Sequence, residues 1–292
     1  MSFKSGYVAI VGAPNAGKST LLNRLLGEKL SITSRKPQTT RNRILGVVHR
    51  PSAQLIFLDT PGVHKSTAAL NERMVEVAFS VMGDVDLVLV LVDVSSPDPA
   101  SEEFLVKKLE NLNKKVVLGL NKIDCVSKPE LLGIINTWSK VYSFEGIVPI
   151  SAKHGDQVDV LLGLIEDHLP EGPPLFPEDT MTDLPERFFV AEMVREKVFR
   201  LTGQEIPYSA AVTVDSFSHD KGLTRINATI HVERDSQKGI VIGKAGSKLK
   251  QIGEDSRKEI EKMLGRKVFL KLFVRVQKNW SRDTKAITKF GV

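Results

Sequence analysis

Over residues 1–170, short apolar runs alternate with stretches whose apolar residues return at helical spacing. The runs predict strands at 7–11, 43–49, 54–58, 87–92, 115–120 and 147–150. Between them the spacing predicts helices at 18–26, 71–81, 101–111, 129–141 and 158–168. Several strands are unbroken Val/Ile/Leu runs, the pattern of strands covered on both faces. This alternation implies an open, mostly parallel α/β sheet with its ligands at the carboxyl ends of the strands. Pro170, Pro173, Pro174 and Pro177 then crowd a segment that cannot continue a helix, and 171–184 reads as a linker. From 185 to 292 the order is a helix (186–201), two strands (209–217 and 225–233), a glycine-interrupted helical region (236–264) and a strand (267–276), a smaller α+β domain.

The single cysteine, Cys125, excludes an intramolecular disulfide and a cysteine-built metal site, and the six histidines show no metal-ligand spacing. The N-terminus lacks the apolar core of a signal peptide. The most apolar stretch, 85–92, contains Asp86 and is too short to span a bilayer. A cytoplasmic protein is expected, with peripheral contact at the inner membrane surface left open. The net charge of +6 is uneven: 19 basic and 22 acidic residues in 1–184, against 22 and 13 in 185–292. A basic second domain points to a polyanionic partner, although a merely solvated surface would read the same.

Gly12-Ala13-Pro14-Asn15-Ala16-Gly17-Lys18-Ser19-Thr20 follows the first strand and opens a helix. Its G-x-x-x-x-G-K-S spacing lets backbone N–H groups turn around phosphate oxygens at a helix N-terminus. Lys18 would reach the β- and γ-phosphates and Ser19 would ligate Mg²⁺. Asp59-Thr60-Pro61-Gly62 closes a later strand; Asp59 would hold Mg²⁺ through a water, and the Gly62 N–H would meet the γ-phosphate. Asn121-Lys122-Ile123-Asp124 separates guanine from adenine, because guanine offers Asp124 two donors and adenine leaves the carboxylate unpaired. Ser151-Ala152-Lys153 ends the last strand, where the Ala152 N–H can meet the guanine carbonyl. Taken alone, each of the last three reads as an ordinary turn, whereas the first is rarely accidental in its strand–helix context. Four in order, each after a strand, mark a guanine-nucleotide site and disfavour an ATP kinase.

In the second domain, Gly243-Lys244-Ala245-Gly246 is a G-x-x-G loop between Ile240 and Ile242 on one side and Lys248, Leu249, Lys250 and Ile252 on the other. The glycines permit close approach of a phosphate backbone, and Lys244, Lys248 and Lys250 supply charge. The four aliphatic residues either floor a base groove or belong to the core. With helix–strand–strand–helix–helix–strand order around it, the loop resembles that of a type II KH domain, which clamps about four nucleotides of single-stranded RNA.

The four nucleotide motifs resemble those of the bacterial translational GTPases of the TrmE–Era–EngA group. Lys36-Pro37-Gln38-Thr39-Thr40-Arg41 resembles switch I of its Era members, as do Phe176-Pro177-Glu178-Asp179, Arg187-Phe188, Arg195-Glu196-Lys197, Glu205-Ile206-Pro207-Tyr208-Ser209 and Lys278-Asn279-Trp280 elsewhere. The resemblance covers essentially the whole chain. It implies an α/β P-loop GTPase domain (1–170), a type II KH domain (185–292), GTP hydrolysis, and a role in small ribosomal subunit maturation through the single-stranded 3′ end of its RNA. It also implies that Thr40, or its neighbour Thr39, reaches Mg²⁺ in the GTP state.

Many GTPases orient the attacking water with a Gln where this chain has Val63. Valine cannot, so slow intrinsic hydrolysis is expected. Several members of the group offset the developing charge with a potassium ion held partly by the asparagine aligned with Asn15, so Asn15, Lys18, Thr40 and Gly62 form the candidate catalytic set. His64 is the weaker candidate for a base. Val63 keeps a second reading open, an RNA clamp in which GTP is structural. Trp280 either stacks on a base or packs.

Overall fold

The structure, a computed structural model, describes residues 2–32, 40–64, 69–202, 206, 210–220, 222–283, 286–287 and 290. The chain divides into two compact units, residues 1–67 with 71–183 and residues 68–70 with 184–292.

The first unit holds a six-stranded sheet in the order β2-β3-β1-β4-β5-β6. Its strands are β1 (Lys4–Val11), β2 (Ile44–His49), β3 (Ala53–Asp59), β4 (Leu87–Asp93), β5 (Lys115–Asn121) and β6 (Gly146–Ile150). Edge strand β2 is antiparallel and the other pairings are parallel. Every residue of β3 and β4 is buried, as strands covered on both faces require. The connecting helices are α1 (Lys18–Leu26), α2 (Ala69–Gly83), α3 (Pro99–Leu109), α4 (Lys128–Trp138) and α5 (Val158–His168). β1 has β3 on one side and β4 on the other, so the winding reverses there and opens a crevice at its carboxyl end.

Several element boundaries differ from the apolar pattern, β1 most clearly. β1 starts at Lys4, not residue 7, because Lys4 pairs with Ala53 while its ammonium donates to the carbonyls of Glu166 (3.1 Å) and Asp167 (2.9 Å). The proline-rich segment is fastened along this unit by buried Gln54, whose Oε1 accepts from Leu175 N (2.7 Å) and Phe176 N (2.9 Å).

In the second unit, α6 (Glu186–Leu201) precedes β7 (Ala211–Asp220), β8 (Leu223–Val232), α7 (Asp235–Ile242), α8 (Ser247–Leu264) and β9 (Lys267–Val276). The sheet order is β7-β8-β9, with β7 antiparallel and β9 parallel to β8. Val190, Val194, Val198, Ile226, Ile230, Ile252 and Ile260 fill its core. β7 runs past residue 217 to Asp220, because ladder pairing with 223–225 outweighs the polarity of 218–220. The charged run Arg195-Glu196-Lys197 on α6 is buried. Arg195 grips Glu192 with two bonds (2.7 and 2.6 Å), Lys197 pairs with Glu196 (3.4 Å) and Glu259, and Arg200 with Glu196 (2.7 Å). Trp280 is fully buried, edge-on to Phe290 at 5.1 Å, so it packs and does not offer its ring to a base. No helix among the described residues is long and apolar enough to cross a membrane.

Candidate functional site

The loop after β1 is shaped by its glycines. A Cβ on Gly12 (φ 157) would lie 2.2 Å from the Leu91 carbonyl oxygen, and one on Gly17 (φ 98) would lie 2.2 Å from Asn121 Nδ2. Asn15 and Gly17 take positive φ, so the loop curls at both ends before α1 begins. Gly17 offers α1 no side-chain cap, which leaves the first N–H groups of the helix to an anion. Lys18 is buried and folds back over the loop, donating to the carbonyls of Gly12 (3.0 Å) and Ala13 (2.9 Å). Burial pulls its amine down to about 8, against the opposing charge of Asp59. A phosphate at the loop would favour the charged form and raise this value again.

Four oxygen-bearing side chains meet beside this lysine. Ser19 Oγ donates to Asp59 Oδ2 (2.7 Å) and lies 2.9 Å from Thr40 Oγ1. Ser31 Oγ also donates to Asp59 Oδ2, at 3.1 Å. Asp59 Oδ1 is buried with no partner among the described residues. Burial raises the Asp59 carboxyl above its usual range, with Lys18 the first of the opposing effects. An orphaned carboxylate oxygen beside the hydroxyls of Ser19, Thr40 and Ser31 is a hard-oxygen set of the kind Mg²⁺ takes. Of the two switch threonines, the structure brings Thr40 to this set; Thr39 lies outside the described residues, as do 36–38.

The Asp59–Gly62 turn presses on the phosphate loop. A Cβ on Gly62 would stand 2.9 Å from Pro14 Cα, and Val63 N donates to the Gly12 carbonyl at 3.0 Å. Thr60 Oγ1 donates to Ile10 O (2.8 Å), and Pro61 is buried between these anchors. Val63 is fully buried in the sheet core, and His64 Nδ1 lies 3.1 Å from the Gly62 carbonyl oxygen.

At the ends of β5 and β6, Asn121 joins three loops. Its Nδ2 donates to Ala16 O (2.8 Å) and its Oδ1 accepts from Ala152 N (2.9 Å). The Ala152 N–H, expected to face a guanine carbonyl, is thus engaged beneath the loop, and a base would have to share it. Asp124 Oδ1 accepts from Ser151 Oγ (2.6 Å), and this bond chiefly holds the carboxyl below its usual range. The acceptor that guanine needs is therefore ionised. Lys122, at φ 69, ion-pairs with Asp93. Arg24 of α1 donates to the carbonyls of Ala152 and Lys153. Asn23 Oδ1 accepts from Leu30 N (2.9 Å) and Ser31 N (2.8 Å). Thr20 sits half-buried on α1. Sequence patterning missed Asn23, Arg24, Ser31 and Asp93, whose partners are distant along the chain or on bare backbone.

In the second unit, α7 ends at Gly243 and α8 starts after Gly246, both at positive φ, with Ala245 also left-handed (φ 50). A Cβ on Gly243 would lie 2.7 Å from Lys248 Cβ. Lys244, Ala245 and Lys250 are exposed, and Ile242, Lys248 and Leu249 half-buried. Of the four proposed floor residues, Ile252 belongs to the core and Ile240 is 45% exposed, because α7 and α8 turn those positions inward and outward. An open groove of about 430 Å³ runs beside the loop between α8 and β9, lined by Gly246, Leu249, Lys250, Arg257, Leu270 and Leu272. Its β9 wall carried no local signal, since an alternating strand reads the same whether or not it borders a groove.

The family described as "50S ribosome-binding GTPase" matches residues 7–122, and that described as "KH domain" matches 205–281. The GTPase Era of Geobacter sp. (strain M21) is 55% identical over 291 residues, covering 99% of this chain and 98% of the relative. That of Geotalea uraniireducens (strain Rf4) is 53% identical over 290 residues, with 99% and 98% covered. A crystal structure of Era in complex with MgGDPNP and nucleotides 1506-1542 of 16S ribosomal RNA matches with a TM-score of 0.95 at 44% identity, covering 99% of each chain. A variant of Aquifex aeolicus Era bound to GDP.AlF4- matches with the same score, identity and coverage. With motifs, site geometry and full-length similarity in agreement, the chain belongs to the GTPase Era family.

Proposed function

We propose that this chain is a GTP-hydrolysing switch of the cytoplasm that binds the single-stranded 3′ end of small-subunit ribosomal RNA and acts in assembly of the small ribosomal subunit. The observation that carries the reading is the fastening of phosphate loop, guanine loop and Ser151–Lys153 turn by Asn121, beside an Asp124 held ionised by Ser151. Kinship with Era proteins, one of them bound to MgGDPNP and 16S RNA, supports the partners.

In this reading Asp124 accepts from guanine, while Lys18 and the N–H groups of 15–19 neutralise the phosphates. Ser19, Thr40 and Asp59 hold Mg²⁺, which when bound screens charge on the β- and γ-oxygens. The Gly62 N–H points the second loop at the γ-phosphate, so its loss on hydrolysis releases that loop. Val63 is sealed in the core and cannot place a water, so catalysis rests on charge neutralisation. A potassium ion at Asn15 would add to it; equal turnover in sodium and potassium would remove that element. Lys244, Lys248, Lys250 and the Gly243–Gly246 turn clamp RNA.

The deciding experiment is GTP turnover in potassium buffer with and without an RNA copying the 3′ end of small-subunit ribosomal RNA. Stimulation by RNA supports the switch. Binding of both ligands with unchanged turnover supports the second reading, favoured by buried Val63, of an RNA clamp with structural GTP.

A further inference from the structure

Helices cover one face of the three-stranded sheet, where Val268 is buried, and the alternation along β9 turns Lys267, Phe269, Lys271, Phe273 and Arg275 to the other. All five are exposed, the two phenylalanines by 50% and 44%. Strand register sets Arg225 beside Phe269, and Asn227 beside Lys271. The Arg225 guanidinium lies 5.9 Å from the Phe269 ring centre and the Lys271 ammonium 5.1 Å from that of Phe273. Two carboxylates neighbour these side chains, Asp215, which accepts from Thr213 (3.1 Å) and Thr229 (2.6 Å), and Asp220 at the hairpin end of β7, so Arg225, Lys267, Lys271 and Arg275 leave the balance positive. At the opposite end, the Phe290 ring covers His231 at 4.5 Å, leaving the two phenylalanines open.

We propose that this face is a second RNA surface, on which bases of the strand held by the G-x-x-G groove stack on Phe269 and Phe273 while Lys267, Lys271, Arg225 and Arg275 meet its phosphates. The inference rests on the reading of this unit as an RNA binder. Alternating rings and cations are what a single strand of any sequence requires, since every base has a π-face and every linkage a charge. A groove of this type takes about four nucleotides, so a longer strand must leave it. β9 borders both places: Leu270 and Leu272 line the groove, and Phe269 and Phe273 lie on the far face. A strand crossing that edge passes from one to the other without a gap.

The test uses the full chain and two RNAs from the 3′ end of small-subunit ribosomal RNA, one of about four nucleotides, which fits the groove alone, and one several times longer. Replacing Phe269 and Phe273 together by Ala should weaken the longer RNA about tenfold or more and leave the shorter unchanged. Phe273→Trp should retain the longer RNA and report it by quenching of the new indole, with no quenching by the shorter. An unchanged affinity for the longer RNA in the double variant, or an unquenched indole, overturns the proposal. So does loss of binding to anionic vesicles with RNA binding intact, which would assign the face to a membrane. Failure of the unaltered chain to bind either RNA would instead remove the reading beneath it.

Discussion

Asn121 is the residue whose removal tests the nucleotide site most sharply. Its side-chain amide is 2% exposed for the residue as a whole and spends both ends on backbone, donating to Ala16 at 2.8 Å and accepting from Ala152 at 2.9 Å. Asn121→Ala leaves a buried carbonyl and a buried N–H unpaired, at about 1–3 kcal/mol each. If the two losses fall wholly on the nucleotide-competent arrangement, they sum to roughly 2–6 kcal/mol, at least about thirtyfold in affinity. Fluorescent GDP titration reads this directly. Gly17→Ala should act through the same joint, because its Cβ would stand 2.2 Å from Asn121 Nδ2 and the residue already takes φ 98. Pushed aside, the amide cannot keep its bond to Ala16. In the double variant the two losses should therefore fall well short of additive. Asn121→Ala affinity within twofold of the unaltered chain would refute the joint, and full additivity would refute the shared cause.

Other outcomes follow from single contacts. Asp124→Asn replaces an acceptor by a donor at the guanine edge and should move preference toward xanthine nucleotides in competition binding; an unchanged preference would displace the base site. Exchanging Lys244 and Ala245 for Asp should lower RNA affinity and flatten its salt dependence while GDP binding stays intact, since the loop supplies phosphate contacts only. Lys197→Met leaves Glu196 buried with Arg200 (2.7 Å) as its remaining cation among the described pairs and should cost about 3 kcal/mol, the low end for breaking a buried pair. Trp280 emission during urea unfolding, in a Trp138→Phe background, reports that loss from the second unit; a change below about 1 kcal/mol would contradict it.

Much of this was legible in the sequence because it is local. A strand buried on both faces must be apolar throughout, so β3 and β4 announce themselves. A loop that wraps phosphate needs glycine where a Cβ would strike backbone, as Gly12 and Gly62 show, and such needs fix spacing. Where pairing partners set an element's end, the apolar pattern fell short: Lys4 and Asp220 are polar residues held in strands by the ladder opposite. Trp280 and Ile252 failed as ligand contacts for a related reason, since an apolar residue near a functional loop looks the same whether it faces the ligand or the core.

Several of the residues that escaped notice share one property. Asn23, Arg24 and Gln54, like Asn121, bond chiefly to backbone carbonyls and N–H groups, which every residue type carries. No partner residue marks such a bond from the other side, so the pairing leaves no trace in the order of side chains. Asn121 was legible because it sits in the base-recognition motif, where tying the loop down is expected of it, and its geometry ties loops together. The motif therefore records two demands at once: Asp124 selects the base, and Asn121 makes that selection possible by holding the base loop on the phosphate loop. Substitutions that spare every nucleotide contact but break this joint should weaken binding, as loss of Lys18 does, which is why Gly17, 104 residues before Asn121 in sequence yet so close to its amide that a Cβ would strike it, belongs to guanine recognition.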